Sequence, residues 1–87
     1  MNIVTIEWTR KALKQTAALP DQARRQIYNG VQKLRQWPAT PNVKALQNRS
    51  DYRLRVGRYR VLFTVHPDGS VTIIRIKEVK KRDEHTY

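Results

Sequence analysis

The spacing of apolar residues changes period as the chain is read from its first residues. Between Asn2 and Trp8, Ile3, Val4 and Ile6 stand among polar neighbours, which is compatible with a short first strand. Thr9 offers a side-chain oxygen as an N-cap, and the run Arg10 to Leu19 is rich in good helix formers, with Leu13 and Ala17 one turn apart. Pro20 ends that helix, and Asp21 is placed to cap the next. From Gln22 to about Gln36, Ile27, Val31 and Leu34 fall on one stripe, and Trp37-Pro38 closes the segment. The pattern predicts a helical hairpin, with Trp8 and Trp37 as lids on a small core.

Residues 38 to 51, with Pro38, Pro41 and Ser50, read as an irregular connection with one helical turn around Val43 to Leu46. Lys44 either reaches a phosphate from this connection or is a solvated loop lysine. The period then becomes two. Tyr52-Arg53-Leu54-Arg55-Val56 and Tyr59-Arg60-Val61-Leu62-Phe63 alternate on either side of Gly57-Arg58, a pair suited to a tight hairpin turn. That register sets Val56 opposite Tyr59, Arg55 opposite Arg60 and Leu54 opposite Val61, and gathers Arg53, Arg55 and Arg60 on one face.

His66-Pro67-Asp68-Gly69 is a turn signal before the apolar run that starts at Val71. A four-residue loop pairs Val65 with Ser70 and Arg60 with Arg75, and brings Arg75 and Lys77 onto the arginine face; a five-residue loop moves them to the other face. The shorter loop is favoured, because Ile74 and Ile76 then join Tyr59, Val61 and Phe63 against the helices. The order strand, two helices, three strands is an α+β pattern, expected to form a single domain over residues 1–87.

Like charges directly across a ladder cost roughly 0.2 to 1 kcal/mol per pair. A polyanion lying over the face accounts for the arginines better than folding does, although a solvated outer face is the plainer alternative. With 18 Lys+Arg against 7 Asp+Glu and a net charge of +11, nucleic acid is the leading partner. An anionic membrane surface is the rival, but no apolar run approaches the roughly 18 residues of a spanning helix, no segment resembles a signal peptide, and cytoplasmic residence is the default. The chain has no cysteine, which excludes disulfides and thiolate chemistry, and its 2 histidines, His66 and His85, do not suggest a metal site.

On the helical hairpin, on Leu46 through Tyr52-Arg53-Leu54-Arg55-Val56-Gly57, on Tyr59-Arg60-Val61-Leu62-Phe63 and on the ending Lys80-Lys81-Arg82-Asp83-Glu84-His85-Thr86-Tyr87, the chain resembles the toxins of the RelE/ParE superfamily of type II toxin-antitoxin pairs. The basic ending with a tyrosine resembles the RelE-like messenger-RNA interferases more than the gyrase-poisoning branch. The resemblance implies a RelE-like fold, no cofactor, cleavage of messenger RNA in the ribosomal A site, and an antitoxin that wraps the toxin with an acidic segment. It also implies operator DNA as a partner of the toxin-antitoxin complex alone.

By position, Arg53 and Arg55 match the two basic residues of the first hairpin strand, Arg60 the arginine of the second, Lys81 falls near the C-terminal arginine, and Tyr87 matches the tyrosine. The first-strand positions are often lysine in ribosome-dependent members, so a lysine-like proton role is not carried over to arginine.

Metal-free cleavage needs a base for the ribose 2′-hydroxyl, cations for the phosphorane and an acid for the leaving 5′ oxygen. Arg60 is the choice for the phosphorane, Arg53 and Arg55 for adjacent phosphates, and Tyr87 for the base or a stacking surface. His85 has the better ordinary pKa for proton transfer. Lys44, Arg58, Arg75, Lys77, Lys80 and Arg82 are candidate RNA-backbone contacts. Two other readings stay open: a ParE-type gyrase inhibitor, and an RNA-binding module without catalysis.

Overall fold

The computed structural model describes residues 3–46 and 51–81. Its elements are β1 (Ile3–Trp8), α1 (Arg10–Ala17), α2 (Asp21–Gln32) running into a 3₁₀ turn at Lys33–Gln36, β2 (Val43–Ala45), β3 (Asp51–Val56), β4 (Tyr59–Asp68) and β5 (Val71–Lys81). The strands form one sheet in the order β1-β5-β4-β3-β2, with β1 parallel to β5 and the other neighbours antiparallel.

The helices lie over one face of this sheet. Ile27, Val31 and Leu34 of the predicted stripe are fully buried, and they meet Val61, Phe63, Ile74 and Ile76 from the sheet. Each such side chain contributes about 1.5 to 3 kcal/mol by leaving water. The tryptophans do close the core: Trp8 packs edge-on against Tyr28, and Trp37 against Tyr52 and Phe63.

Several expectations are corrected. The helix α1 begins as expected, with the Thr9 hydroxyl accepting from the Ala12 N–H at 3.1 Å. It turns Ala12 and Thr16 inward, however, and leaves Leu13 and Ala17 exposed. The Thr16 hydroxyl can sit in the core because it donates to the Ala12 carbonyl at 2.8 Å, which satisfies its proton. Asp21 is the first residue of α2 rather than its cap; Pro20 holds the cap position, and Asp21 pairs with Arg24 one turn on. The helical turn expected at Val43 to Leu46 is instead the short strand β2, whose partners on β3 override its weak local preference.

The β3-β4 hairpin has the expected register, with Gly57 at φ +55° in its turn, a conformation open to glycine without a Cβ clash. The β4-β5 hairpin does not. Pairing continues to Asp68 opposite Val71, so the turn is Gly69-Ser70 and Arg60 does not face Arg75. The slip is a whole number of side-chain periods, which is why Ile74 and Ile76 point at the helices as expected.

A bulge between Leu62 and Phe63 then shifts the phase of β5. Ile76 pairs with Phe63 but Glu78 with Leu62, leaving Lys77 as the extra residue. A regular ladder would have turned Glu78 into the core and Val79 outward. The bulge buries Val79 instead, avoiding a buried carboxylate that would cost far more than one disturbed ladder bond.

Candidate nucleic-acid interface

The face of the sheet turned away from the helices is laid out in rows by the register. Nearest the Gly57 turn, Arg55, Arg60 and Lys80 stand side by side on β3, β4 and β5. Behind them come Lys44, Arg53, Leu62 and Glu78, and then Asp51, Thr64, Arg75 and Glu7. Neighbouring strands are about 4.8 Å apart, so the first row holds three cations within the width of three strands. Farther from the turn the rows contain His66, Ile73 and Thr5, and then Asp68, Val71 and Ile3, with no further lysine or arginine. The cationic region is therefore one end of one face.

Arg53, Arg55 and Arg60 come together as the sequence implied, and Lys44 joins them at the edge through β2 instead of from a loop. Lys80 stands across from Arg60. Lys81 does not: its partner is Tyr59, so the register assigns it to the opposite side of the sheet. Arg75 is on the outer face, two rows away from Arg60, with Nε and Nη2 both 3.3 Å from Glu7 Oε1. That pairing offsets its charge. Arg58 is in the exposed hairpin turn, and the exposed Lys77 is the extra residue of the bulge, its carbonyl accepting from the Thr9 hydroxyl at 3.1 Å. Arg82, His85 and Tyr87 lie outside the described residues.

Among the described residues, Arg53, Arg55, Arg58 and Arg60 make no ion pair. Their electrostatic demand is open to a ligand, and the guanidinium fork suits phosphate.

One part of the site was not singled out from the sequence. Where β1 ends, the free edge of β5 is covered by α1: Gln15 Oε1 accepts from the Val79 N–H at 2.7 Å, and Lys11 Nζ is 2.8 Å from Glu78 Oε1. Lys80 Nζ is 3.8 Å from the same oxygen. The Lys11 hydrogen bond, with help from the charges of Lys80 and Lys77, holds the Glu78 carboxyl below its ordinary pKa against the opposing effect of burial. Glu78 is thus an anion tying the cationic row to α1. No local pattern announces this contact, since its partners come from opposite ends of the chain.

No helix among the described residues is long and apolar enough to cross a membrane. Residues 6–82 match the family model of the ParE toxin of type II toxin-antitoxin system, parDE. No curated protein matches the chain.

Among solved structures, the chain is similar to a chain of the toxin-antitoxin complex RelBE2 from Mycobacterium tuberculosis, with TM-score 0.76 and 23% identity over 92% of this chain and 99% of that one. It is equally similar to a chain of the archaeal RelE-RelB complex from Pyrococcus horikoshii, with TM-score 0.76 and 25% identity over 94% and 98%. A chain of the chromosomal ParDE system from P. aeruginosa gives TM-score 0.74 and 18% identity over 93% and 98%. RelE and ParE structures thus share this fold, in which the β2 strand and the sheet order are now explicit. The chain belongs to the ParE toxin family, within the RelE/ParE superfamily of type II toxin-antitoxin toxins.

Proposed function

We infer that this toxin is a metal-independent endoribonuclease that cuts messenger RNA in the ribosomal A site, acts in the cytoplasm, and is held inactive by a cognate antitoxin. The observation that carries the reading is the row Arg55, Arg60 and Lys80, three cations side by side at one end of an exposed sheet face. Folding alone is opposed by such a row, whereas a phosphodiester backbone is bound by it.

In the reaction, the ribose 2′-oxygen attacks the adjacent phosphorus, its proton passes to a base, and the phosphorane collapses to a 2′,3′-cyclic phosphate as the 5′ oxygen leaves with a proton from an acid. Arg60, on the strand between β3 and β5, stabilises the phosphorane, where preorganised cationic donors contribute several kcal/mol. Arg53 and Arg55 hold the neighbouring phosphates, with Lys44, Arg58 and Lys80 along the RNA backbone. Lys81, Arg82, His85 and Tyr87 follow in sequence at and beyond the end of β5. His85 or Tyr87 moves the proton, the tyrosine needing surrounding cations to lower its pKa from about 10.

The ParE match favours a second reading, inhibition of DNA gyrase through a protein contact on the same fold. Primer extension on a defined messenger, with and without programmed 70S ribosomes, separates the two. Cuts at A-site codons with ribosomes only, lost in Arg60→Ala and reduced in Tyr87→Phe, support the interferase. Absence of cuts under all conditions refutes it; inhibition in a gyrase supercoiling assay then identifies the second activity, and no effect leaves an RNA-binding module.

A further inference from the structure

Among the described residues, the two rows nearest the Gly57 turn hold Lys44, Arg53, Arg55, Arg60 and Lys80, together with an apolar side chain, Leu62, and an anion, Glu78. Leu62 on β4 and Glu78 on β5 stand directly opposite each other. They lie one row behind Arg60 and Lys80, about 6.6 Å away at two residues of strand rise. Arg53 flanks Leu62 on its other side. The bulge creates this arrangement, because it turns Glu78 outward where a regular ladder would bury it.

Phosphate binding explains neither residue. A carboxylate here repels an RNA backbone, and leucine adds nothing to its attraction. The pair with Lys11 accounts for Glu78 as a link to α1, but leaves the half-buried Leu62 on the outer face unexplained. Both ion-pair contacts of the carboxylate, from Lys11 Nζ at 2.8 Å and Lys80 Nζ at 3.8 Å, fall on Oε1. Oε2 has no ion-pair partner among the described residues, and a carboxylate offers about four lone-pair sites in all. The lowered pKa of Glu78 keeps it an acceptor at neutral pH.

The surroundings choose the donor. A metal ion, or a cationic side chain from a protein, would be repelled by Arg53, Arg60 and Lys80 around the carboxylate. A nucleobase meets every demand of the position: it is neutral, its face rests on an apolar side chain, its N–H groups donate to an acceptor, and its own phosphate occupies the neighbouring cations. Guanine presents a ring N–H and an exocyclic amine side by side, matching the two oxygens of a carboxylate. Cytosine and adenine offer an amine alone, and uracil sets carbonyl oxygens on both sides of its one N–H.

We propose that Leu62 and Glu78 form a base-reading subsite, in which a nucleotide held by Arg60 and Lys80 lays its base on Leu62 and donates to Glu78, with guanine preferred and uracil rejected. The subsite rests on the endoribonuclease reading for the RNA that occupies the row, and adds to it the pair of residues that selects sequence.

The test uses full-length toxin and fluorescein-labelled 2′-fluoro heptanucleotides, which keep bases and charge and lack the hydroxyl that cleavage requires. Anisotropy compares an all-uridine strand with strands carrying one central guanosine or one central inosine, which lacks the exocyclic amine. Wild type should bind the guanosine strand about tenfold more tightly than the uridine strand, equivalent to about 1.4 kcal/mol, with inosine between them. Glu78→Gln should bring all three within about twofold, and should bind the uridine strand at least as tightly as wild type because a repelling charge is gone. Lys11→Met frees the carboxylate from α1 but leaves it in place, and should retain a guanosine preference.

Equal affinity of wild type for the three strands overturns the subsite without any variant, and inosine equal to guanosine overturns the two-point contact. A preference that survives Glu78→Gln removes Glu78 from the reading. A preference lost as fully in Lys11→Met as in Glu78→Gln reduces the carboxylate to a structural link and overturns the proposal too. Binding is read without ribosomes and without cleavage, so the two readings fail separately: absence of messenger cleavage leaves the base preference standing, and cleavage with no base preference sinks the subsite alone.

Discussion

Replacing Arg60 by glutamine should move stability and RNA affinity in opposite directions. Arg60 has Arg55 on one side and Lys80 on the other. Two like-charge neighbours at roughly 0.2 to 1 kcal/mol each oppose folding by about 0.4 to 2 kcal/mol. Solvent screening acts on these groups, and Glu78 stands beside Lys80, so the lower half of that range applies, about 0.5 to 1 kcal/mol. Glutamine keeps much of the stem and removes the charge. For a domain of this size about 1 kcal/mol corresponds to about 4 to 8 °C, and the variant should melt about 2 to 8 °C higher at low salt, with the gain shrinking as salt is added.

The RNA side scales with the number of phosphates neutralised. Lys44, Arg53, Arg55, Arg60 and Lys80 share the face. At about 0.7 per contact on a single strand, five contacts give a slope of about −3.5 in log K against log salt. Raising salt fourfold should then weaken wild type about a hundredfold and Arg60→Gln only about fiftyfold. Thermal melts and anisotropy titrations at two salt concentrations measure both. A lower melting temperature would mean that Arg60 holds the fold together, and an unchanged slope would mean that it does not meet phosphate; either refutes the reasoning.

Gly30→Ala should lower the denaturation midpoint, because overlap with Val56 costs about 1 to 3 kcal/mol against about 1 kcal/mol gained in helix propensity; a midpoint above wild type would show that the strand yields freely. Thr9→Ala removes both the cap on Ala12 and the bond to the Lys77 carbonyl and should cost about 1 to 2 kcal/mol in urea unfolding, with Thr9→Ser recovering most of it. The Glu78 carboxyl has its pKa lowered from 4.5 in the folded state, so its stabilisation is complete above that value and is lost as pH falls through the lower folded one. Glu78→Gln should therefore melt below wild type near neutral pH, and the two melting curves should converge in acid; a difference that persisted in acid would exclude the ion pair as its cause.

The parts of this fold legible in the sequence are those where a strong pattern meets its own chemistry. Ile27, Val31 and Leu34 mark the buried stripe, Gly57 marks the turn, and alternation through Tyr52 to Phe63 places the arginines. In α1 the pattern misled, because alanine and a back-bonded threonine fill the interface with the sheet while the larger Leu13 stays outside. The strand β2 has three residues and no signal apart from its partner. The Lys11-Glu78 pair and the bulge arise from tertiary packing, in which Val79 rather than the turn decides which residues of β5 face outward. For the same reason the sequence placed Lys81 with the site, while the register puts Lys80 there.

The bulge gives the end of β5 one residue of slack. Because two residues, Lys77 and Glu78, occupy the space opposite Leu62, loss of either would leave a regular ladder in which Val79 still pairs with Val61 and Lys80 with Arg60. An added residue in the same stretch has no such reserve and would have to enlarge the distortion or change the phase of everything after it. Length variation in this segment is thus asymmetric: relatives one residue shorter between the last hairpin and the basic end can present the same row of cations, whereas relatives one residue longer must rebuild it.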